Sequence, residues 1–500
     1  MNRFIFFILL NLGATTCGAQ IYFNNVYDDT SYFGETSTNI LLGEKGEFLL
    51  PSAYVINIAE PEQQFCGFTM RNLDPEGNEY NRTPITEVEN SFLYPNLSEA
   101  IIKTSDGGFI QASGYVDGYI FKLDSDFLIQ WELTVDSVNN FYRPIELANG
   151  NFFVCGYTYA TNHINMFWIS PEGEVLNHTY ANPYPQGNFY NILRAQELAN
   201  GDLLLSGFYV AGFDGNQMIL RLDATGNVIW KEKFDYDYRD WGLFPIVETE
   251  TTATAVFGHI DYVLNPYDPT RDNFQGRLGT VKIDLLTGDT SDVILYEPEL
   301  TGYWITDFIE TPDNGHAALG WALQPGQLML YSFILKLDEN RQQQWYKTYL
   351  YEPSGEDCTQ FGYAWDFEVT ADSGFIVAGH WDDIEMMGKQ MPWVFKTDAC
   401  GDLVWSNCGL TDVPEEMNDG KQQNITIYPN PASTVLNITS DREFESITLR
   451  NLVGQVVHQV QLNHHTLQTQ IDLSTLASGV YLVEVHFGKS VVAAQRVVVE

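Results

Sequence analysis

Five hundred residues, with 14% aromatic and only 18% charged side chains, can bury a large core and a smaller domain; they exclude a disordered stalk. The formal net charge of -41 repels nucleic acid and anionic membrane surfaces. It favours cations or neutral glycans as partners, or serves solubility outside the cell. Beyond the N-terminus no stretch reaches the roughly 18 uninterrupted apolar residues that a membrane-spanning helix needs.

Arg3 followed by the apolar run Phe4 to Leu12, with small residues Cys17-Gly18-Ala19 at a cleavage site, predicts a signal peptide over residues 1–19. Cys17 offers a lipoprotein cysteine as the alternative, but Ala14-Thr15-Thr16 lacks the large aliphatic residue expected before it. The mature chain then begins at Gln20, followed by Ile21-Tyr22-Phe23-Asn24-Asn25-Val26. This segment precedes the first repeat much as Trp230 to Phe234 precedes the fifth, so it is a candidate for the outer strand of the last repeat.

Between the two ends one unit recurs. A turn leads into a short apolar strand that ends on glycine; a variable loop follows, then a second strand ending near aspartate, a turn, and often tryptophan. The clearest copy runs Asn200-Gly201-Asp202-Leu203 to Gly207, then Met218 to Asp223, Gly226 and Trp230. Equivalent positions are Ala53, Gly114, Gly156, Gly207, Gly258, Gly320 and Gly379, giving seven copies of about four strands each. A four-stranded antiparallel sheet cannot bury both faces alone, whereas seven set radially cover one another. The predicted fold is therefore all-β: a seven-bladed β-propeller over residues 20–408, similar to WD-repeat and quinoprotein-like architectures, though without their signature dipeptides. A right-handed β-helix is the rival, with a shorter and more regular repeat.

The recurring Asp74, Asp124, Asp223, Asp284, Asp338 and Asp398 each begin a tight turn and read as backbone caps, one per blade, that cannot converge on one ion. Two positions earlier, Lys122, Arg221, Lys282, Lys336 and Lys396 read as a solvated strand face, or as partners of carboxylates on the adjoining blade. The residues after each strand-ending glycine carry the functional expectation. Tyr115, Asp117, Tyr157, Tyr159, Tyr209, His259, Asp261, Trp321, His380, Trp381 and Asp382 are placed in second-to-third strand connections that gather around one channel mouth. Aromatic planes interleaved with carboxylates suit a sugar ring; the competing reading packs the first aromatic of each group between blades. The acidic, aromatic Asp235 to Trp241 adds a further loop, and calcium is a candidate ligand of such acidic loops.

Of six cysteines, Cys17 leaves with the leader. Cys400 and Cys408 bracket Gly401 to Asn407 and predict a disulfide in an exported protein. Cys66, Cys155 and Cys358 suggest no pairing scheme; Cys155, inside an apolar run, reads as a buried thiol. There is no zinc spacing, GxSxG elbow, Walker loop or GxGxxG in a strand–helix context. A glycosidase needs only two carboxylates, and 66 acidic residues do not single out a pair.

Residues 409–423, with Pro414 and Gly420, read as an exposed linker. The last segment, 424–500, opens on Tyr428-Pro429-Asn430-Pro431, continues through Leu452-Val453-Gly454-Gln455, and closes on Ala477-Ser478-Gly479-Val480-Tyr481-Leu482. Its alternation predicts strands near 435–438, 446–450, 455–460, 469–473, 480–486 and 491–499, enough for a small Ig-like sandwich. These motifs closely resemble the type A C-terminal sorting domain of the Bacteroidetes type IX secretion system. The resemblance implies recognition by the outer-membrane translocon, and often removal of the domain as the cargo is joined to a surface lipopolysaccharide. The end, Arg496 to Glu500, departs from the lysine-rich finish common in such domains. Three functions follow as expectations: a secreted or surface-displayed propeller binding glycans or surface proteins, a carbohydrate-active enzyme (glycosidase or lyase) on that scaffold, or a structural adhesion component.

Overall fold

A computed structural model describes residues 22–499 except 29–33, 45, 57–64, 90–99, 115–116, 137, 139, 159–160, 186–188, 212–213, 235–241, 265–271, 298–299, 324–329, 352–360, 384–388, 404–424, 429–431, 452–455, 475, 477–478 and 488–489. The signal peptide, the linker and Cys408 thus lie outside the described residues. The chain separates into two compact units, Met1–Cys408 and Gly409–Glu500.

In the first unit the strands form seven antiparallel blades among the described residues, each built in chain order from the axis outward. Their first strands are Gly34–Ser37 with Leu41–Leu42, Ile101–Lys103, Asn140–Phe141 with Ile145–Glu146, Phe189–Glu197, Leu243–Val247, Leu300–Glu310 and Phe361–Val369. Between every pair of neighbouring blades lies its own apolar core. Leu49 and Met70 meet Phe109 and Leu123 between blades 1 and 2, and Ile110 and Ile120 meet Phe152 and Phe167 between 2 and 3. Further cores join blades 3 and 4, 4 and 5, 5 and 6, and 6 and 7. The seventh joins blade 7 back to blade 1 through Ile376 and Val394 against Phe48 and Leu50. That last core closes the circle. A solenoid has two exposed ends; this unit has none.

Closure is made by the N-terminal segment. Phe23–Val26 pairs antiparallel with Lys389–Lys396 and becomes the fourth strand of blade 7. It also reproduces a contact used elsewhere in the ring. In blades 2 and 4 a tryptophan of the outer strand lies on the third-to-fourth strand turn of the next blade: Trp131 Nε1 donates to the Pro171 carbonyl at 2.8 Å, and Trp230 Nε1 to that of Leu285 at 2.9 Å. Phe23 takes this place against Gly77 of blade 1, where a Cβ would meet its ring at 2.6 Å. The tryptophan of the repeat thus locks one blade to its successor.

The turn aspartates cap as the sequence expects. Asp223 Oδ1 accepts from the Thr225 and Asn227 N–H groups, both at 2.9 Å, and Asp338 Oδ1 from Asn340 and Gln342. The cations two positions earlier behave differently from either reading. Lys122, Arg221, Lys336 and Lys396 are buried, and each pairs with an aspartate in the first-to-second strand turn of its own blade: Asp106, Asp202, Asp313 and Asp372. The reason is local. The third strand lies beside that turn, and a long stem can fold back over the sheet to deliver its charge there. Lys122 Nζ also donates to the Leu123 carbonyl at 3.0 Å, and Lys336 Nζ to that of Leu337 at 2.8 Å.

These pairs set an acid limit. Partial burial pushes the Asp106 and Asp313 carboxyls up, but the lysine, the Thr104 or Thr311 hydroxyl and a backbone N–H outweigh it and hold each at about 2. A depressed aspartate means the folded state binds fewer protons than the unfolded one near pH 3. The contribution is complete above the ordinary aspartate value and is lost as pH falls through about 2. Urea midpoints of Asp106→Asn and Asp313→Asn variants are therefore expected to fall less than wild type between pH 4 and 2. Parallel curves would rule this out.

In the second unit, Ile425–Tyr428, Val435–Asn451, Val456–Asp472, Gly479–Phe487 and Ser490–Val499 enclose one core of Leu436, Ile438, Phe444, Ile447, Ile471, Tyr481, Val483 and Val497. Four strands expected as separate prove to be two long ones that run through both layers. Their register shifts around Phe444, which is buried and holds the bend. Tyr481 belongs to this core, Tyr428 is exposed, Gly479 begins its strand, and Pro429, Asn430, Pro431 and Gly454 lie outside the described residues.

Candidate functional site

In blades 3 to 7 the second strand runs further past its glycine than the sequence suggests. Tyr157, Tyr209, His259, Asp261, Trp321, His380, Trp381 and Asp382 all lie within these strands, not in connections. Only Asp117 sits in a connection, half-buried; Tyr115 and Tyr159 are outside the described residues. Inside a strand, alternate side chains enter the blade interfaces. Tyr157 and Tyr209 accordingly fill the core between blades 3 and 4, and Trp381 that between blades 6 and 7. His259 and Asp261 stand on blade 5, away from Asp117 on blade 2.

Trp321, His380 and Asp382 come together across blades 6 and 7, joined by aromatics that the repeat did not single out. Trp304 stacks on Trp321 with ring centres 5.7 Å apart, and Trp321 meets Tyr363 edge-on at 5.3 Å. Tyr363 lies 4.9 Å from His380 and 6.5 Å from Trp365. Trp304, Trp321, Tyr363 and Trp365 are each only half-buried. Trp304, Tyr363 and Trp365 sit early in the first strands of their blades, beside the ends of the second strands, so the patch opens on the face where second and third strands connect. Their sequence signal is an aromatic three residues ahead of an aspartate, Trp304 before Asp307 and Tyr363 before Asp366. With only two copies, it does not register as a repeat.

The polar groups of this face are distinct in character. His380 Nδ1 accepts from Trp365 Nε1 at 3.0 Å, and the Thr36 hydroxyl of blade 1 lies equally close. An indole nitrogen only donates, so the histidine proton sits on Nε2, facing Gln390 and Asp382. Burial pushes the imidazole down to about 3, and it stays neutral. Burial also raises Asp382 to about 6, against a hydrogen bond from Gln390. Among the described residues, Trp321 Nε1 and Asp382 Oδ1 are shielded and have no hydrogen-bond partner. The face thus offers aromatic planes, one spare donor and one spare acceptor.

A second constellation, absent from the sequence reading, lies on the axis. Each blade contributes one residue, from its first strand or the backbone beside it, to one linked group: Asn39, Ala100, Arg143, Arg194, Phe244, Asp307 and Asp366. In blades 4, 6 and 7 the ladder shifts register immediately before this residue, and such bulges re-aim side chains. The strand-ending glycine makes room for the bulge. A Cβ at Gly379 would stand 1.9 Å from the Tyr363 carbonyl oxygen, with Gly207 and Gly320 equally crowded. Arg194 of blade 4 pairs with the fully buried Asp307 of blade 6 and donates to the Phe308 carbonyl at 2.6 Å. Asp366 Oδ2 accepts from the Ile40 N–H of blade 1 at 2.8 Å. Burial and the neighbouring Asp307 hold the Asp366 carboxyl well above its usual range.

Among the described residues no group of three or more His, Cys, Asp or Glu is arranged to hold a metal. The loop at 235–241, on which the calcium expectation draws, lies outside the described residues.

Residues 426–500 match the family described as the secretion system C-terminal sorting domain. The match indicates export by type IX secretion, to the cell surface or beyond. Solved structures similar to the chain include the β-propeller domain of the Trilobed protease from Pyrococcus furiosus, at 8% identity over 76% of this chain and 99% of that one, TM-score 0.42. An α-L-arabinanase of Penicillium chrysogenum complexed with arabinobiose shares 12% identity over 76% of this chain and 98% of its own, TM-score 0.38. The NanB sialidase of Streptococcus pneumoniae shares 8% over 76% and 71%, TM-score 0.38. No curated protein is significantly similar in sequence.

Proposed function

We propose that the chain is an exported binding propeller whose ligands are glycans, taken up on the aromatic face of blades 6 and 7. The carrying observation is the half-buried series Trp304, Trp321, Tyr363 and Trp365 beside Asp382. A sugar ring stacks its C–H face on such planes while its hydroxyls bond to carboxylates. Glycan arrays with the full chain test this, followed by titration of the best ligand. Trp321→Ala and Tyr363→Ala are each expected to weaken binding about tenfold, the equivalent of about 1.4 kcal/mol. Unchanged affinity in both variants would defeat the assignment.

Protein ligands on the same face and a purely structural adhesion role are the competitors; an array without hits favours them. A glycosidase or lyase is the second reading, favoured by the carboxyl of Asp382 held near 6 by burial; turnover of any bound glycan decides it. The reading includes a signal peptide over 1–19, a linker over 409–423 and the translocon as partner of the sorting domain. It also includes a Cys400–Cys408 bridge. Cys400 being disulfide-bonded supports it, and mapping of unreduced peptides tests it.

A further inference from the structure

The first strands end, on the face opposite the aromatic patch, around a cavity of about 670 Å³ at the axis. Glu146, Glu197, Glu310 and Glu368 line it with Arg143 and Arg194, and Ile246, Val247 and Phe308 form apolar wall. Two of the four glutamates are engaged in the ring. Glu146 accepts from Ser105 N–H at 2.6 Å, and Glu197 from Ala148 N–H at 2.6 Å, each bracing the turn of the preceding blade. Among the described residues Glu310 and Glu368 accept no such bond. Behind the floor, the fully buried Asp307 offers Oδ1 to Arg194 and to the Phe308 N–H, while its Oδ2 accepts nothing. Arg194 and Phe308 both line the cavity, so this orphan acceptor lies directly behind its floor.

The charges do not balance. Four glutamates, Glu146, Glu197, Glu310 and Glu368, line the cavity with only two cations, Arg143 and Arg194. Burial and the nearby Asp307 push Glu368 up to about 7, although Arg143 and Lys103 oppose the shift.

We propose that this cavity binds a primary ammonium group on an unbranched aliphatic stem, with the ammonium at Glu310 and Glu368 and the stem along Ile246, Val247 and Phe308. An ammonium has three donors and no acceptor, which suits two free carboxylates above an orphan acceptor. The stem suits the apolar wall. The same chemistry comes from a free diamine or from a lysine side chain on a peptide. The site is independent of the glycan reading and lies on the other face.

Calorimetric titration of the full chain with 1,5-diaminopentane, and separately with a blocked Gly-Lys-Gly peptide, tests the proposal. Saturable one-to-one binding of at least one is expected; diamine alone identifies a free amine, and peptide binding identifies the lysine source. Glu310→Gln and Glu368→Gln, nearly isosteric and checked for folding by circular dichroism, are each expected to weaken it about tenfold. Glu174→Gln, on an exposed turn of blade 3, leaves it unchanged. A cation beside Glu368 completes its ionisation, so binding at pH 7 releases protons, and the measured heat varies with the ionisation enthalpy of the buffer. Glu368→Gln removes that dependence. Absence of saturation with both probes, or wild-type affinity in both glutamine variants, overturns the proposal.

Discussion

Deleting residues 22–28 from the otherwise complete chain is expected to abolish cooperative unfolding of the propeller, and Phe23→Ala alone to cost about 3–5 kcal/mol. The segment does several things at once. It supplies the outer strand of blade 7 from Phe23 opposite Lys396 to Val26 opposite Trp393. Asn24 Oδ1 accepts from Trp393 Nε1 at 2.6 Å, and Asn24 Nδ2 donates to the Leu350 carbonyl at 2.9 Å. Across the seam, Tyr27 Oη donates to the Gly77 carbonyl of blade 1 at 2.7 Å, and Asn25 Nδ2 to the same oxygen at 3.1 Å. Phe23 adds its ring to the core with Phe48, 6.2 Å away. Without the segment, blade 7 keeps three strands with a bare edge, and the apolar wall of blade 1 meets water. Urea unfolding followed by tryptophan fluorescence checks both variants of the seam, truncation and point change. A truncated protein that unfolds in one transition at the wild-type midpoint would show that the ring does not depend on this strand.

The second large effect is expected at the axis. Removing one member of a buried ion pair leaves the other charge without compensation and typically costs about 3–5 kcal/mol, whereas replacing both by apolar side chains can be neutral. Arg194→Met strands Asp307, whose exposure is 0%. Asp307→Leu strands Arg194, which also lies 5.7 Å from the Phe244 ring. Each single change is expected to destabilise within that range, and the double change Arg194→Met/Asp307→Leu by clearly less than the sum. Urea midpoints of the four proteins complete the cycle. Strict additivity would mean that the two charges do not act as a unit.

How far the sequence reaches can be judged from particular residues. Turn chemistry is local, so Asp223 with Gly226, or Asp338 before its turn, announced themselves through spacing alone. The closing strand was legible because Tyr22 to Val26 has the form of a repeat's last strand with no repeat before it. The sorting segment was legible through Gly454, Gly479 and Tyr481. The axial belt was not. Its seven positions carry five different residue types, so no recurrence marks them, and Arg194 meets Asp307 at a separation of 113 residues. The glycines that permit the bulges were visible, but their consequence for the opposite strand was not. Burial of Lys122 and Lys336 was hidden for another reason. A cation amid apolar alternation looks outward-facing, and only the fold shows a turn carboxylate within reach. Tyr157, Tyr209 and Trp381 follow their glycines as rim residues would, yet the strands continue through them.

The clasp between the two ends of the ring joins residues 369 positions apart, Asn24 and Trp393. During synthesis the first strand therefore waits, unpaired, until the last blade exists, and the circle is completed late. Long-range closure of this kind slows folding. It also makes residues 22–28 part of the architecture. A cut ahead of residue 22 leaves the clasp intact; trimming a few residues further in severs it while every blade's own hairpins remain. For a protein carried out of the cell, that makes N-terminal proteolysis the most economical way to inactivate the whole wheel.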